Sequence, residues 1–374
     1  MGITSIFTYS LPQLTEQFGY YGIIFCRMIQ GFCQGIVYPM LANFLSKWVP
    51  EEERSFATTF VYAGGDLGTV IATALAGYYA SSRLGWPFTF LLYGILGGIW
   101  TIMFAIFGSN SPETHRGISE HEVWHITKGK KPNKQTKKTP WKKIFTSLPV
   151  WSLWICTISS YWGYWILSME VPLFMSDILG FNISLDSFYM TLVYFVSWLM
   201  SFPSGGCTQF IINRNIATVG NTRKIINSIA FFIPGLCLIG IGVIQGSDYR
   251  RCVTLLIVAI IFDSFQYSSY YPNYIDISPH YCGTLFGIGQ WVATVFTIFC
   301  PLLRNSTLRE REQYSSQWEN LFLYTAAMYF ISNIIYLIFG TGKIQEWNFY
   351  DEEDDDDANE STMLLFQRTK NEGP

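Results

Sequence analysis

Blocks of mostly apolar residues, each about the length of the ~20 residues a helix needs to cross a bilayer core, recur along this chain. In lipid no water is available to bond the peptide groups, so each crossing segment must be helical. That restricts the chain to an all-α, polytopic membrane protein. Composition points the same way. Half the residues are hydrophobic and 14% are charged, against about 25% charged in an ordinary soluble domain. Too little charge remains to coat a water-soluble particle of this size.

Ten apolar segments are read: 1–14, 20–46, 55–80, 87–108, 149–175, 186–212, 225–246, 252–275, 282–303 and 320–341. The first is too short to cross and begins at Met1. It has no basic leader and no small-residue cleavage site, so it reads as the tail of a spanning helix whose start is missing, not as a signal peptide. Pro39, Pro172, Pro203, Pro234 and Pro272 fall inside or near the ends of these spans and predict kinks. Gly31 and Gly35, four apart on one helix face, would permit close helix approach.

Basic residues set the orientation. The connection 109–148 carries Arg116, Lys128, Lys130, Lys131, Lys134, Lys137, Lys138, Lys142 and Lys143, and the connection 213–224 carries Arg214, Arg223 and Lys224. Excess Lys and Arg stay cytoplasmic. Two spans separate these loops, so both fall on one side, and alternation puts the tail after 342 there too. The sequons at Asn182 and Asn305 then face the opposite side and are glycosylation candidates, whereas the sequon at Asn359 stays silent. Four units result: an incomplete N-terminal bundle (1–108), a basic cytoplasmic loop (109–148), a six-helix C-terminal bundle (149–341) and an acidic cytoplasmic tail (342–374).

No phosphate-binding loop, nucleophile elbow or zinc-ligand spacing occurs, so neither an enzyme nor a cofactor is expected. His115, His121 and His125 sit in the loop without a companion acid motif, and no metal site is read there. The eight cysteines are dispersed, lack a CxxC pair, and read as small apolar residues of helices. No basic stripe interleaved with aromatics invites nucleic acid.

Several ordered motifs carry a family resemblance. Arg27-Met28-Ile29-Gln30-Gly31-Phe32-Cys33-Gln34-Gly35 leads to Tyr38-Pro39, then to Ser46-Lys47-Trp48-Val49-Pro50 and Glu53-Arg54-Ser55. Tyr62-Ala63-Gly64, Gly68, Gly77 and Gly85-Trp86-Pro87 follow, and then Ser111-Pro112, His115, Ile118-Ser119 and Glu122. Asn273 with Asp276-Ile277-Ser278-Pro279-His280-Tyr281-Cys282-Gly283, and Gly342 with Gln345 and Trp347, complete the set. Together these resemble the anion–cation symporter branch of the major facilitator superfamily, which includes sialin, vesicular glutamate transporters and sodium–phosphate cotransporters. The resemblance implies twelve helices in two bundles around a central substrate path. It places the start of this chain inside the family's third helix.

Ionisable groups at membrane depth are costly and therefore candidates for function. By position, Arg27 is either the partner of an anionic substrate or a snorkelling or paired arginine near a helix end. The resemblance favours the first, and a guanidinium offers a planar fork of donors to carboxylate or phosphate. Gln34 lies two turns on, on the same face. Sialin-like members carry there a glutamate associated with proton coupling, a role glutamine cannot fill. Ser160 stands where vesicular glutamate transporters have an arginine, which argues against glutamate. Tyr161, Trp162 and Asn273 are candidate path residues, with core packing as the alternative. Asp66, Glu170 and Asp263 are ion-coupling candidates, since each lies in an apolar span; Asp66 or Asp263 is the expected substitute for the missing glutamate. Asp276 and Pro279 are expected to shape a cytoplasmic turn.

The tail holds an acidic run, 351–357, and then Glu360 with Leu364 and Leu365. The run reads as a solvated segment. The later residues resemble an acidic dileucine sorting signal, which implies endosomal, lysosomal or vesicular membranes, with the plasma membrane as the alternative. The reading is a secondary transporter of organic or inorganic anions (sialic acid, other carboxylates, phosphate or urate), coupled to a co-transported cation, H+ or Na+, or driven by membrane potential. Its partners are a small anion, that cation and the bilayer. The rival is a shortened, non-transporting membrane protein that regulates a full-length homologue.

Overall fold

The computed structural model describes residues 1–80, 82–115, 117–128, 139–170, 173–174, 183–244, 248–307 and 314–349. Arg116, Lys130, Lys131, Lys134, Lys137, Lys138, Pro172, Asn182 and the tail with Glu360, Leu364 and Leu365 lie outside the described residues. Asn305 falls in a described helix, but its side chain does not belong to the described part.

Every regular element among the described residues is helical. The first set comprises α1 (Gly2–Phe18), α2 (Tyr20–Gln34), α3 (Val37–Trp48), α4 (Arg54–Ala80) and α5 (Gly85–Phe107). Two short helices follow, α6 (Glu120–Thr127) and α7 (Trp141–Thr146). The second set is α8 (Leu148–Trp165), α9 (Ile183–Asn213), α10 (Val219–Ile244), α11 (Tyr249–Asp263), α12 (Tyr270–Ile277), α13 (Cys282–Thr297), α14 (Phe299–Thr307) and α15 (Tyr314–Phe339). Among the described residues six stretches are long and apolar enough to cross a membrane by length and composition: Glu51–Tyr79, Gly85–Phe107, Val219–Ile244, Arg250–Ile277, Cys282–Leu303 and Trp318–Phe339.

The apolar segments of the sequence fall on these helices, but three are broken where one helix was expected, among them 282–303, which parts at Ile298 between α13 and α14. The segment 20–46 divides at Gly35-Ile36. Pro39 explains the place, because its ring displaces the carbonyl four residues back. The segment 252–275 passes through a 3-10 turn, Ser264–Ser268, between α11 and α12. Pro272 stands four residues after Ser268, and the freed Ser268 carbonyl accepts from Nη1 of Arg223 at 2.8 Å. Pro203 and Pro234 sit inside helices that run on without interruption. A fourth irregularity ends α8, where Ile166–Glu170 form a π turn.

Within the first set α1 packs on α2 and α5; within the second, α10 packs on α11 and α15, and α8 on α13 and α15. The sets meet along α4 with α9 and along α3 with α13. Close approach is not made at Gly31, around which nothing lies within 4 Å. It is made at Gly205 of α9, where an added Cβ would meet the Thr59 side chain of α4 at 2.9 Å. The buried apolar core lies mostly in the second set, around Leu153, Trp154, Phe231, Tyr274, Phe286 and Phe322.

Candidate functional site

The interface between the sets is layered. At the end that carries the basic loops, Arg54 opens α4, Arg223 lies in the first turns of α10, and Asp276 lies near the end of α12. Nη1 of Arg54 donates to Oδ1 of Asp276 at 2.9 Å, and Nε of Arg223 donates to Oδ2 at 2.9 Å. Nη1 of Arg223 also donates to the Ser55 hydroxyl at 2.8 Å. The Ser55 amide donates to Oε1 of Gln209 on α9 at 2.8 Å, and Nδ2 of Asn213 donates to the Glu52 carbonyl at 3.0 Å. Arg54, Arg223 and Asp276 are 7%, 1% and 6% exposed. Charges so buried require one another, and removing one partner of such a group costs about 3–5 kcal/mol. This latch corrects the expectation that Asp276 only shapes a turn: its carboxylate joins both helix sets. The Cys282 thiol beside it points to the Ala42 carbonyl of α3, at 3.5 Å, across the same seam.

Above the latch lies an aromatic plug. Tyr38 of α3 stacks on Tyr62 of α4, ring centroids 5.7 Å apart. Tyr62 stacks on Phe286 of α13 at 6.0 Å and meets Tyr271 of α12 edge-on at 4.7 Å. Rings from both sets therefore fill the seam.

Beyond the plug is a cavity of about 20 Å³, enough for a single water-sized occupant, which needs roughly 10–15 Å³. Asp66 of α4, Asp263 of α11 and Tyr267 of the 3-10 turn line it. So do Ser168 of the π turn, Tyr164 of α8 and Ser197 of α9. Both helix irregularities border this one space. Non-helical backbone at membrane depth is tolerated where it lines a cavity within the protein, and broken helices are the usual walls of transport sites. The Tyr267 hydroxyl donates to Oδ1 of Asp66 at 3.1 Å. The Tyr329 hydroxyl of α15 donates to Oδ1 of Asp263 at 2.8 Å. Nε2 of Gln266 donates to the same oxygen, and the Ser160 hydroxyl donates to Oε1 of Gln266.

The structure thus brings Asp66 and Asp263, far apart in sequence, to one cavity, and ties Ser160 to it through Gln266. Glu170 is buried at the end of the π turn and does not line that space. Trp162 belongs to the core of the second set, where its Nε1 donates to the Thr325 hydroxyl at 3.2 Å. Asn273 is also core: it is 1% exposed and its Nδ2 donates to the Tyr336 hydroxyl at 2.7 Å. Tyr161 is half-buried among Tyr38, Tyr164 and Tyr274. Arg27 and Gln34 are exposed on α2. Nη1 of Arg27 donates to Oε1 of Gln30 at 3.3 Å, and its guanidinium lies 5.9 Å from the Phe90 ring centroid. Neither residue lines the cavity.

Sequence reasoning missed the latch and the plug. Arg54 was visible only as part of a motif and Arg223 only as a loop cation. The available signal was Asp276 itself, an acid beside an apolar span with two arginines at the ends of others. The plug gave no signal, because tyrosines are abundant along the chain.

Residues 1–301 match the family model described as Major Facilitator Superfamily. The chain is 31% identical over 367 residues to a Drosophila ananassae protein named "Putative inorganic phosphate cotransporter", covering 97% of this chain and 76% of that protein. It is 31% identical over 353 residues to sialin of Ovis aries, covering 93% of this chain and 70% of that protein. Among solved structures, a proton:xylose symporter aligns with a TM-score of 0.68 at 12% identity, over 92% of this chain and 80% of that one. That last likeness speaks for the fold alone.

Proposed function

From the premise that this chain belongs to the major facilitator superfamily, as a multi-pass membrane protein and not an enzyme, we propose that it is a secondary transporter of a small anion. The two helix sets rock about the seam between them and expose a midplane site to each side in turn. The observation that carries this reading is the seam itself: a buried latch and an aromatic plug close one end, and a polar cavity bounded by two broken helices lies beyond. A seam held at one end by a few named contacts can part there and close at the other end, which alternating access requires.

Two relatives named for phosphate and for sialic-acid-type cargo support an anion as substrate. Arg27 is the cation that attracts it. Among the described residues Arg27 has no carboxylate partner, so its guanidinium keeps donors for a carboxylate or phosphate. Gln34, two turns along the same face, supplies an amide to the same ligand, and Tyr161 borders the path.

Anion uptake into proteoliposomes tests this reading, with a pH gradient, a sodium gradient and a membrane potential imposed separately. Uptake that needs one of these and falls at least tenfold in Arg27→Ala is the expected result. Arg27→Lys should recover only part, because an ammonium lacks the fork. No uptake from a helical, monodisperse preparation would overturn the proposal and favour the regulatory reading.

A further inference from the structure

We propose that Asp66 and Asp263 hold one shared proton between them, and that this proton joins the two helix sets at mid-membrane depth while the basic-loop end is closed. The inference deepens the transporter reading by naming the coupling ion and its site, and it rests on that reading for its role in transport.

The placement comes first. Asp66 follows Arg54 by 12 residues on α4, and Asp263 precedes Asp276 by 13 through α11 and α12. At 1.5 Å per helical residue, both carboxyls stand about 20 Å from the latch, deep in the bilayer. They come from opposite sets and border the same water-sized cavity. Two bare carboxylates there would repel each other in a medium that screens poorly.

Among the described residues no ion pair neutralises them. The groups that face the pair are Tyr267 from the 3-10 turn, Tyr329 from α15, Tyr164 from α8 and Tyr194 from α9. All are phenols. Among the described residues, arginine ion pairs are made by Arg54, Arg223 and Arg251, and none involves either acid. Tyr267, Tyr329 and Gln266 use their protons on Oδ1 of one acid or the other. The pair therefore receives hydrogen bonds but no positive charge, and the charge still required must enter from solution.

A proton fits better than a metal ion. Hard divalent cations need six or more converging oxygen lone pairs, whereas Oδ1 of each acid is already turned to phenol or amide donors, from Tyr267, Tyr329 and Gln266. A proton needs only the two carboxyls. Uptake forms one carboxyl O–H bond from a proton donated by water at the open side. Release breaks that bond and returns the proton to water. While the proton is shared the two sets are drawn together at this level; once it leaves, two negative charges face each other and the sets separate.

The test is infrared difference spectroscopy on the full chain in nanodiscs. The pH is stepped in potassium buffer and again in sodium buffer, for the wild-type chain, Asp66→Asn, Asp263→Asn and the double variant. A single protonated-carboxyl band that disappears in either single variant is expected. If an Asn variant does not fold, Asp66→Glu and Asp263→Glu serve instead, and both must shift that band. Two separate bands, each lost in only one variant, would overturn the proposal, as would no band. Loss of the band on adding sodium at constant pH would overturn it in favour of a metal ion. The readout requires no transport: a shared band in a chain that takes up no anion would reject the transporter reading and leave the proton site standing.

Discussion

Arg223 does three things at once. It pairs with Asp276, caps the proline-freed carbonyl of Ser268 and holds the Ser55 hydroxyl of the other helix set. Its replacement by leucine leaves Asp276 with one cation, the Ser268 carbonyl without its donor and a seam without its bond. Arg223→Leu is expected to lose about 3–5 kcal/mol of the closed arrangement. The check is modification of Cys282 by a maleimide, because this thiol is fully buried at the seam. Its reaction rate should rise at least tenfold in the variant, and an unchanged rate would show that the latch does not hold the seam. Trp162 gives a contrasting case. Its Nε1 bond to Thr325 and its burial place it in the core of one set. Trp162→Ala should lower stability by about 3–5 kcal/mol and leave the KM for the anion within about twofold once folded protein is counted.

Three of the four helix irregularities were foreshadowed, and the break at Ile298 was not. Pro39 and Pro272 stand in the sequence as kink signals, and the chain breaks four residues before each. Pro203 and Pro234 carry the same signal, yet α9 and α10 run on. At Pro272 an arginine from another helix takes the freed carbonyl, and no local rule announces that. The π turn after α8 contains Ser168, four residues before Pro172 in the sequence, whereas Pro301, three residues after Ile298, was not among the kink signals. Ten apolar segments were legible because lipid leaves each span to satisfy its own backbone. Which faces meet was not legible. Gly31 and Gly35 carry the familiar small-residue spacing, while close approach is made elsewhere: within the first set at Gly94 against Tyr9, and between the sets at Gly205 against Thr59. Gly205→Leu should wedge α9 from α4 and hold the seam open. Spin labels on these two helices at the basic-loop end should report a wider distance, and an unaltered distribution would place the contact elsewhere.

For the whole molecule, the seam has three levels with separate tasks: charge at one end, rings next, and a pair of acids at mid-depth. Of these only the acids were singled out from sequence, because membrane depth makes a carboxyl conspicuous. The rings and the latch depend on residues that are ordinary until the chain folds. If one seam serves both closures, opening the latch must also separate the plug. Tyr62→Ala should therefore mimic Arg223→Leu in raising Cys282 reactivity, though by less. A Cys282 rate that responds to the latch variant and not to Tyr62→Ala would mean that the two layers move independently.

The latch also fixes an order of assembly. Arg54 and Asp276 are 222 residues apart, which at roughly 5–20 residues per second separates their synthesis by tens of seconds. Through that interval α4 is already in the membrane while its arginine has only the neighbouring, exposed Glu51 carboxylate to meet, at 3.5 Å. The first helix set must be held by its own contacts and by water at the bilayer edge. The seam can close only after α12 emerges, so the ribosome delivers two helix sets in sequence and one late event makes them a single molecule.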